Sequence, residues 1–365
     1  MAKRSYSKKR TKIQPAVETL TFNLGAIVPA TLSPEGNLVP SYQSYYCDLS
    51  QSASLANRRF YRQGLNWATA GMRITSTNTL GPQFSPSGDA PQGAVVVQKI
   101  PNTWVLSNAW EKSMRTWSKM NREALEGNES VRPKFLDFKI FADAGHQAVG
   151  FAGNILPAVH EVPGLTTQGW VDSTPGEWIA SKITVPTSST GGISEFELMA
   201  TGPNFNGGTT PVVSLIEGYA ASRALPHAED PNTPADADDT FGSTPENWMS
   251  AIFNEGTAQT SDIIEDLLTE NNQPPYPFEG DGAAIDTMYP NGANQLSGLQ
   301  MHTLENITGS TIGGVTYLKG GNFPCGLIRF DVYNYDLEFD QFNILQIELV
   351  PGMHRGYLCE PMTEM

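Results

Sequence analysis

Leu327-Ile328-Arg329-Phe330-Asp331-Val332-Tyr333 alternates apolar and polar side chains without a break. Successive side chains of a strand point to opposite faces, so Ile328, Phe330 and Val332 share one face and Arg329, Asp331 and Tyr333 the other. The run reads as a half-buried β-strand. Strand-like runs recur at Leu20–Val28, Ala70–Thr77, Ala94–Ile100, Lys134–Phe141, Trp178–Val185, Glu195–Ala200, Val212–Glu217, Val315–Lys319 and Phe342–Val350. Within 134–141, Asp137 and Lys139 are expected on the solvent face, opposite Leu136 and Phe138. Turn-forming clusters such as Thr187-Ser-Ser-Thr-Gly-Gly separate the runs. Short strands at this spacing favour an all-β antiparallel sandwich or barrel over any α/β sheet.

Helices are expected as insertions between strands. In residues 107–125, Trp110, Met114 and Trp117 recur at helical spacing and define an apolar stripe. Lys112, Arg115, Lys119 and Arg122 gather on the opposite arc. A further helix is expected from Thr244-Pro245, a cap followed by a proline suited to the first turn, and another from Ser261. Their surroundings are loop-like, so residues 224–290 read as a long acidic surface insertion.

The 365 residues carry 23 Lys+Arg against 38 Asp+Glu, a net charge of -15, and the distribution is uneven. Residues 1–88 hold ten bases and three acids, leaving -22 on the remainder. Lys3, Arg4, Lys8, Lys9, Arg10 and Lys12 precede the first acid, Glu18; fifteen acids and no base fall between Arg223 and Lys319. The first segment has too little apolar content to fold alone. A cationic arm of this kind binds phosphates by Coulomb attraction and counterion release, without fixed geometry. It also suits a nuclear-import signal. In residues 55–67, Arg58, Arg59 and Arg62 alternate with Phe60, Tyr61 and Trp67. That mixture fits a single-strand nucleic-acid surface, or a strand with aromatics inward and arginines outward.

Catalytic patterns are missing: no P-loop, no dinucleotide fingerprint, no GxSxG elbow and no HExxH. Asp236-Ala-Asp-Asp begins like a calcium loop but lacks the glycine and glutamate that complete one. Cys47, Cys325 and Cys359 are too few and too scattered for a disulfide scaffold or a cysteine zinc site. No apolar run reaches the roughly 18–20 residues of a membrane span, and the first residues lack a signal peptide's apolar stretch. The chain is expected to be a non-enzyme with no metal or cofactor and no membrane insertion.

The arm MAKRSYSKKRTK, the arginine–aromatic segment around Arg58–Trp67, and the size and strand order together resemble the capsid proteins of small circular Rep-encoding single-stranded DNA viruses, the circovirus- and smacovirus-like group. The resemblance implies a single antiparallel jelly roll of two four-stranded sheets over residues 20–365, behind a basic arm at 1–19 that lines the shell interior. It further implies an icosahedral homo-oligomer of about sixty copies, with a larger shell as the alternative. A single-stranded DNA genome would be its partner, and the virion and host nucleus its location. The nucleic-acid-binding residues would be Lys3, Arg4, Lys8, Lys9, Arg10, Lys12, Arg58, Arg59 and Arg62. Nothing in the sequence names a receptor. The competing class is a β-sandwich carbohydrate-binding or surface-attachment protein with a basic tail, using aromatics such as Trp170 and Trp178.

Overall fold

A computed structural model describes residues 16–79, 90–127, 130, 137–160, 170–186, 193–204, 211–224, 248–251, 298–308 and 314–364. These residues are mostly strand, in several antiparallel sheets, none of them closed. The eight longest sheet strands flanking the long central insertion are β1 (Thr19–Ile27), β2 (Ser41–Asp48), β3 (Leu65–Thr79), β4 (Gly93–Lys99), β5 (Gln300–Ile307), β6 (Val315–Phe323), β7 (Leu327–Asn334) and β8 (Asp340–Leu349). They form two four-stranded sheets. Sheet I has the order β1-β8-β3-β6, with Cys359–Pro361 added against the start of β3; sheet II has the order β5-β4-β7-β2. Every neighbouring pair in both is antiparallel.

The alternation seen in the sequence decides which face each strand buries. Leu20, Phe22, Met72, Ile74, Leu345 and Ile347 from sheet I meet Val95, Val97, Ile328, Phe330 and Val332 from sheet II in one buried cluster. Each such side chain, fully withdrawn from water, contributes about 1.5–3 kcal/mol before the entropy of ordering is subtracted.

A second cluster forms in the long connection between β4 and β5. Helix α2 (Trp104–Ala124) turns Val105, Leu106, Ala109, Trp110 and Trp117 inward, and Met114 packs partly against the same core. The expected stripe is therefore a packing face. It meets Phe138, Ile140, Ile183, Phe196, Leu198, Val213, Trp248 and Met249. Several of these lie on a small sheet of Lys182–Pro186, Ile193–Met199 and Val212–Ser214, whose last two strands run parallel, contrary to a wholly antiparallel expectation. The insertion thus carries packing of its own on one flank of the two large sheets.

Three local readings are corrected. Residues 137–140 form no strand: Asp137 and Lys139 are turned inward and paired at 3.6 Å, and only Phe141 makes a bridge, to Met199. The run from Trp178 becomes a strand only at Lys182, and the run from Val212 stops at Ser214, where a helix, Leu215–Ala224, begins. Residues 55–67 are neither one strand nor a flat surface. Helix α1 (Leu49–Asn57) ends at Arg58, which takes the left-handed conformation at φ 52°, and β3 starts only at Leu65. Of the helix expected from Thr244, Trp248–Ala251 is described; the helix expected from Ser261 and nearly all of 224–290 lie outside the described residues.

Candidate nucleic-acid interface

The residues around Arg58 are placed by α1. Asp48 is the last residue of β2 and caps the helix, accepting from the backbone N–H groups of Ser50 (2.8 Å) and Gln51 (3.2 Å). Its other oxygen accepts from Gln63 Nε2 and from Trp178 Nε1, each at 3.0 Å. Asp48 is fully buried, and burial raises its pKa to about 6 against those four donors, which favour the charged form.

Gln63 holds the adjacent turn as a strand would. Its Oε1 accepts from the Ile140 N–H at 2.7 Å and its Nε2 donates to the Ile140 carbonyl at 3.1 Å. This side chain gives the Ile140 backbone the pairing that a neighbouring strand otherwise supplies, while Lys139 pairs with Ser181 and Phe141 with Leu198 and Ala200.

Between α1 and residues 175–178 lies a cleft of about 260 Å3, lined by Ser54, Arg58, Arg59, Phe60, Glu177 and Trp178 among others. Arg58 is exposed, Arg59 is half-buried, and Glu177 contributes one opposing carboxylate. Arg59 Nη1 is buried with no hydrogen-bond partner. Phe60 and Trp178 stand 6.1 Å apart, and Lys139 Nζ lies 4.6 Å from the Trp178 ring centre and 5.7 Å from that of Phe60. A cationic rim over aromatic walls can take an anion with a flat apolar group attached.

Arg62 is exposed but does not line this cleft; its charge instead helps to hold down the pKa of Asp137, which burial raises. Tyr61 and Trp67 are fully buried and pack with Tyr357, so neither can stack on a base. Of the aromatics in this segment, only Phe60 reaches the cleft. Trp178 completes the cleft's aromatic wall with buried Lys139 against its ring, and no local pattern marked either as a partner of Phe60.

Lys3, Arg4, Lys8, Lys9, Arg10 and Lys12 lie outside the described residues. The chain that follows them is anchored. Val17 N–H donates to Asn57 Oδ1 at 3.0 Å, and the Val17 carbonyl accepts from the Tyr357 hydroxyl at 2.6 Å. Residue 17 is therefore fixed against the last residue of α1, next to Arg58.

Among the described residues, no group of three His, Cys, Asp or Glu side chains is arranged to hold a metal ion, and no helix is long and apolar enough to cross a membrane. No protein-family model, no curated protein and no solved structure matches this chain.

Proposed function

We propose that this chain is a capsid subunit of a single-stranded DNA virus, with its eight long strands forming one jelly roll and its basic arm binding the packaged genome. One observation carries the reading: the strand order. Numbered along the chain, the sheets run first-eighth-third-sixth and second-seventh-fourth-fifth. That order supports a reading as two interlocked Greek keys, the double-sheet arrangement of jelly rolls, which serve as viral shell and lectin domains. The shared core between the sheets supports the same reading.

The charge distribution separates the shell reading from the lectin one. Ten of the first 88 residues are basic, and Val17 roots the arm beside Arg58. Arg58, Arg59 and, nearby, Arg62 thus lie on a cationic stretch of an otherwise acidic protein, beside the point at which the basic arm joins the fold. A sugar-binding reading needs free aromatic faces and polar edges, whereas the Trp178 indole N–H is committed to Asp48 and its ring to Lys139. The acidic insertion at 224–290 would face outward, where its carboxylates keep particles soluble and away from packaged phosphate.

Electron microscopy of the purified full chain tests the proposal. Closed hollow particles, of sixty copies or a larger shell, are expected. A protein that sediments only as a monomer at neutral pH and moderate salt, with the arm intact, would overturn it.

A further inference from the structure

Arg73 is the fourth base in the acid-poor stretch after α1, and the cleft at Arg58 does not use it. It lies on β3 in the centre of sheet I, on the face turned away from the core, since Met72 and Ile74 are the buried neighbours. The register sets four residues in one row across the sheet: Thr21 opposite Gln346, Gln346 opposite Arg73, and Arg73 opposite Tyr317. Arg73 Nε donates to Gln346 Oε1 at 2.5 Å, and Gln346 Nε2 donates to Thr21 Oγ1 at 3.1 Å. The guanidinium is thereby oriented by an amide and carries no carboxylate partner among the described residues. Tyr317, next to it, is 72% exposed.

The neighbouring rows continue this character. One holds Thr19, Glu348, Gly71 and Lys319; the other holds Asn23, Ile344, Thr75 and Val315. Glu348 is the one acid in the three rows. The outer face of sheet II is built differently. Its arginine, Arg329, is bound to Asp331 at 2.9 Å and to Asp143 at 3.3 Å, so its charge is spent inside the protein. The arm also enters at sheet I, two residues before Thr19.

We infer that the outer face of sheet I is a second single-stranded nucleic-acid surface, in which Arg73 takes a phosphate and Tyr317 stacks a base, with Lys319 as an additional phosphate contact. It rests on the nucleic-acid reading above and extends it from the basic arm to a platform set by the fold. The chemistry is that of single-strand binding sheets: an oriented cation for the backbone and an exposed ring for a base face, without donor patterns that read sequence. The arm alone supplies six charges per subunit, and the platform adds two that the fold holds in place.

The test is titration of a labelled oligothymidylate into the full chain, and into a chain lacking residues 2–12, across a salt series. Tyr317→Ala should weaken binding about tenfold in both chains. Arg73→Gln should flatten the slope of log affinity against log salt by about 0.7, and Arg73→Lys should restore the slope. Tyr42→Ala, 60% exposed on the outer face of sheet II, should change neither. If Tyr317→Ala and Arg73→Gln bind like the parent in both chains, the platform is excluded even where arm deletion shows the arm to bind. If Tyr42→Ala weakens binding as much as Tyr317→Ala, the assignment to sheet I is equally overturned. Should arm deletion change nothing while Tyr317→Ala weakens binding, the platform stands and the arm reading falls. Tyr317 is exposed enough for its variant to fold, so it decides the matter if Arg73→Gln does not.

Discussion

Asp48 and His146 are joined through two intervening residues. His146 Nε2 meets Asn154 Oδ1 at 2.8 Å, Asn154 Nδ2 donates to Gln51 Oε1 at 3.0 Å, and the Gln51 N–H donates to Asp48 Oδ1 at 3.2 Å. His146 Nδ1 accepts from the Ala142 N–H at 3.0 Å, so the neutral ring carries its proton on Nε2. Burial acts on the two groups in opposite directions, raising the pKa of Asp48 to about 6 and lowering that of His146 to about 4.

Those shifts set opposing pH dependences over one window. The folded state holds the Asp48 proton more tightly than the unfolded chain, so this group's stability is full below about pH 4 and is lost as pH rises through 6. His146 gives up its proton on folding, so its stability is full above pH 6.5 and is lost as pH falls through 4. Each is worth about 3 kcal/mol across its shift, and the two nearly cancel between pH 4 and 6.5. Urea unfolding of Asp48→Asn, which leaves only the His146 dependence, should show stability rising with pH in this window, and His146→Gln should show it falling. Parallel profiles for both variants would contradict the pairing.

Asp48→Ala removes a cap and leaves the Ser50 and Gln51 N–H groups, Gln63 Nε2 and Trp178 Nε1 without their acceptor. Stability at neutral pH should fall by about 3 kcal/mol, read as a lower urea midpoint with an unchanged slope. Loss of the Trp178 contact should also shift tryptophan fluorescence.

Gly93 opens β4 and pairs with both Ile307 and Asn334. A Cβ there would sit 2.1 Å from the Tyr333 carbonyl oxygen and 3.0 Å from Gln341 Oε1. Since backbone on the neighbouring strand cannot step aside cheaply, Gly93→Ala should cost about 1–3 kcal/mol. Gly36→Ala meets no atom within 4 Å and should cost less, only the strain of φ +80°. Thermal melts of the two variants make the comparison.

Deleting residues 2–12 should weaken single-stranded DNA binding with little base preference, because contacts from lysines and arginines to phosphates carry no base information. If all six bases contact phosphate, they contribute about -4 to the salt slope, from roughly -0.7 per charge. In a shell of sixty copies the arms would carry about 360 charges, short of a genome of a few thousand phosphates, so such a shell would need other cations. Equal affinity and slope for both chains would return the arm to a nuclear-import role or a solvated terminus.

The acidic insertion is expected outside. Antibodies to residues 228–240 should bind intact particles. Binding confined to disrupted particles would reverse the orientation.

Six of the eight strands, the edge strands β1 and β6 of sheet I included, were legible because each buries one face and alternates accordingly. The two strands with no signal, β2 and β5, are the edges of sheet II. These two are wet on both faces over part of their length: Tyr42 and Gln43 of β2 are exposed, as are Met301 and Leu304 of β5, so polar and apolar residues no longer sort by parity. Residues 137–141 failed the other way. They alternate well, but Gln63, far off in sequence, replaces the neighbouring strand, and Lys139 is buried against Trp178. The cationic segment at 58–62 was found from composition. That Tyr61 and Trp67 point into the core depended on the left-handed turn at Arg58, which no residue type announces.

The place of β8 in sheet I has a consequence for synthesis. It lies between β1 and β3, so the strand nearest the arm has no partner in that sheet until residues 340–349 have left the ribosome. Until then β1 and one side of β3 are open edges, and the pairings that close them span from 261 residues (Thr79 to Asp340) to 329 (Thr19 to Glu348). Sheet I of this topology therefore closes only once translation is nearly finished, so its fold is completed as a whole and not strand by strand on the nascent chain.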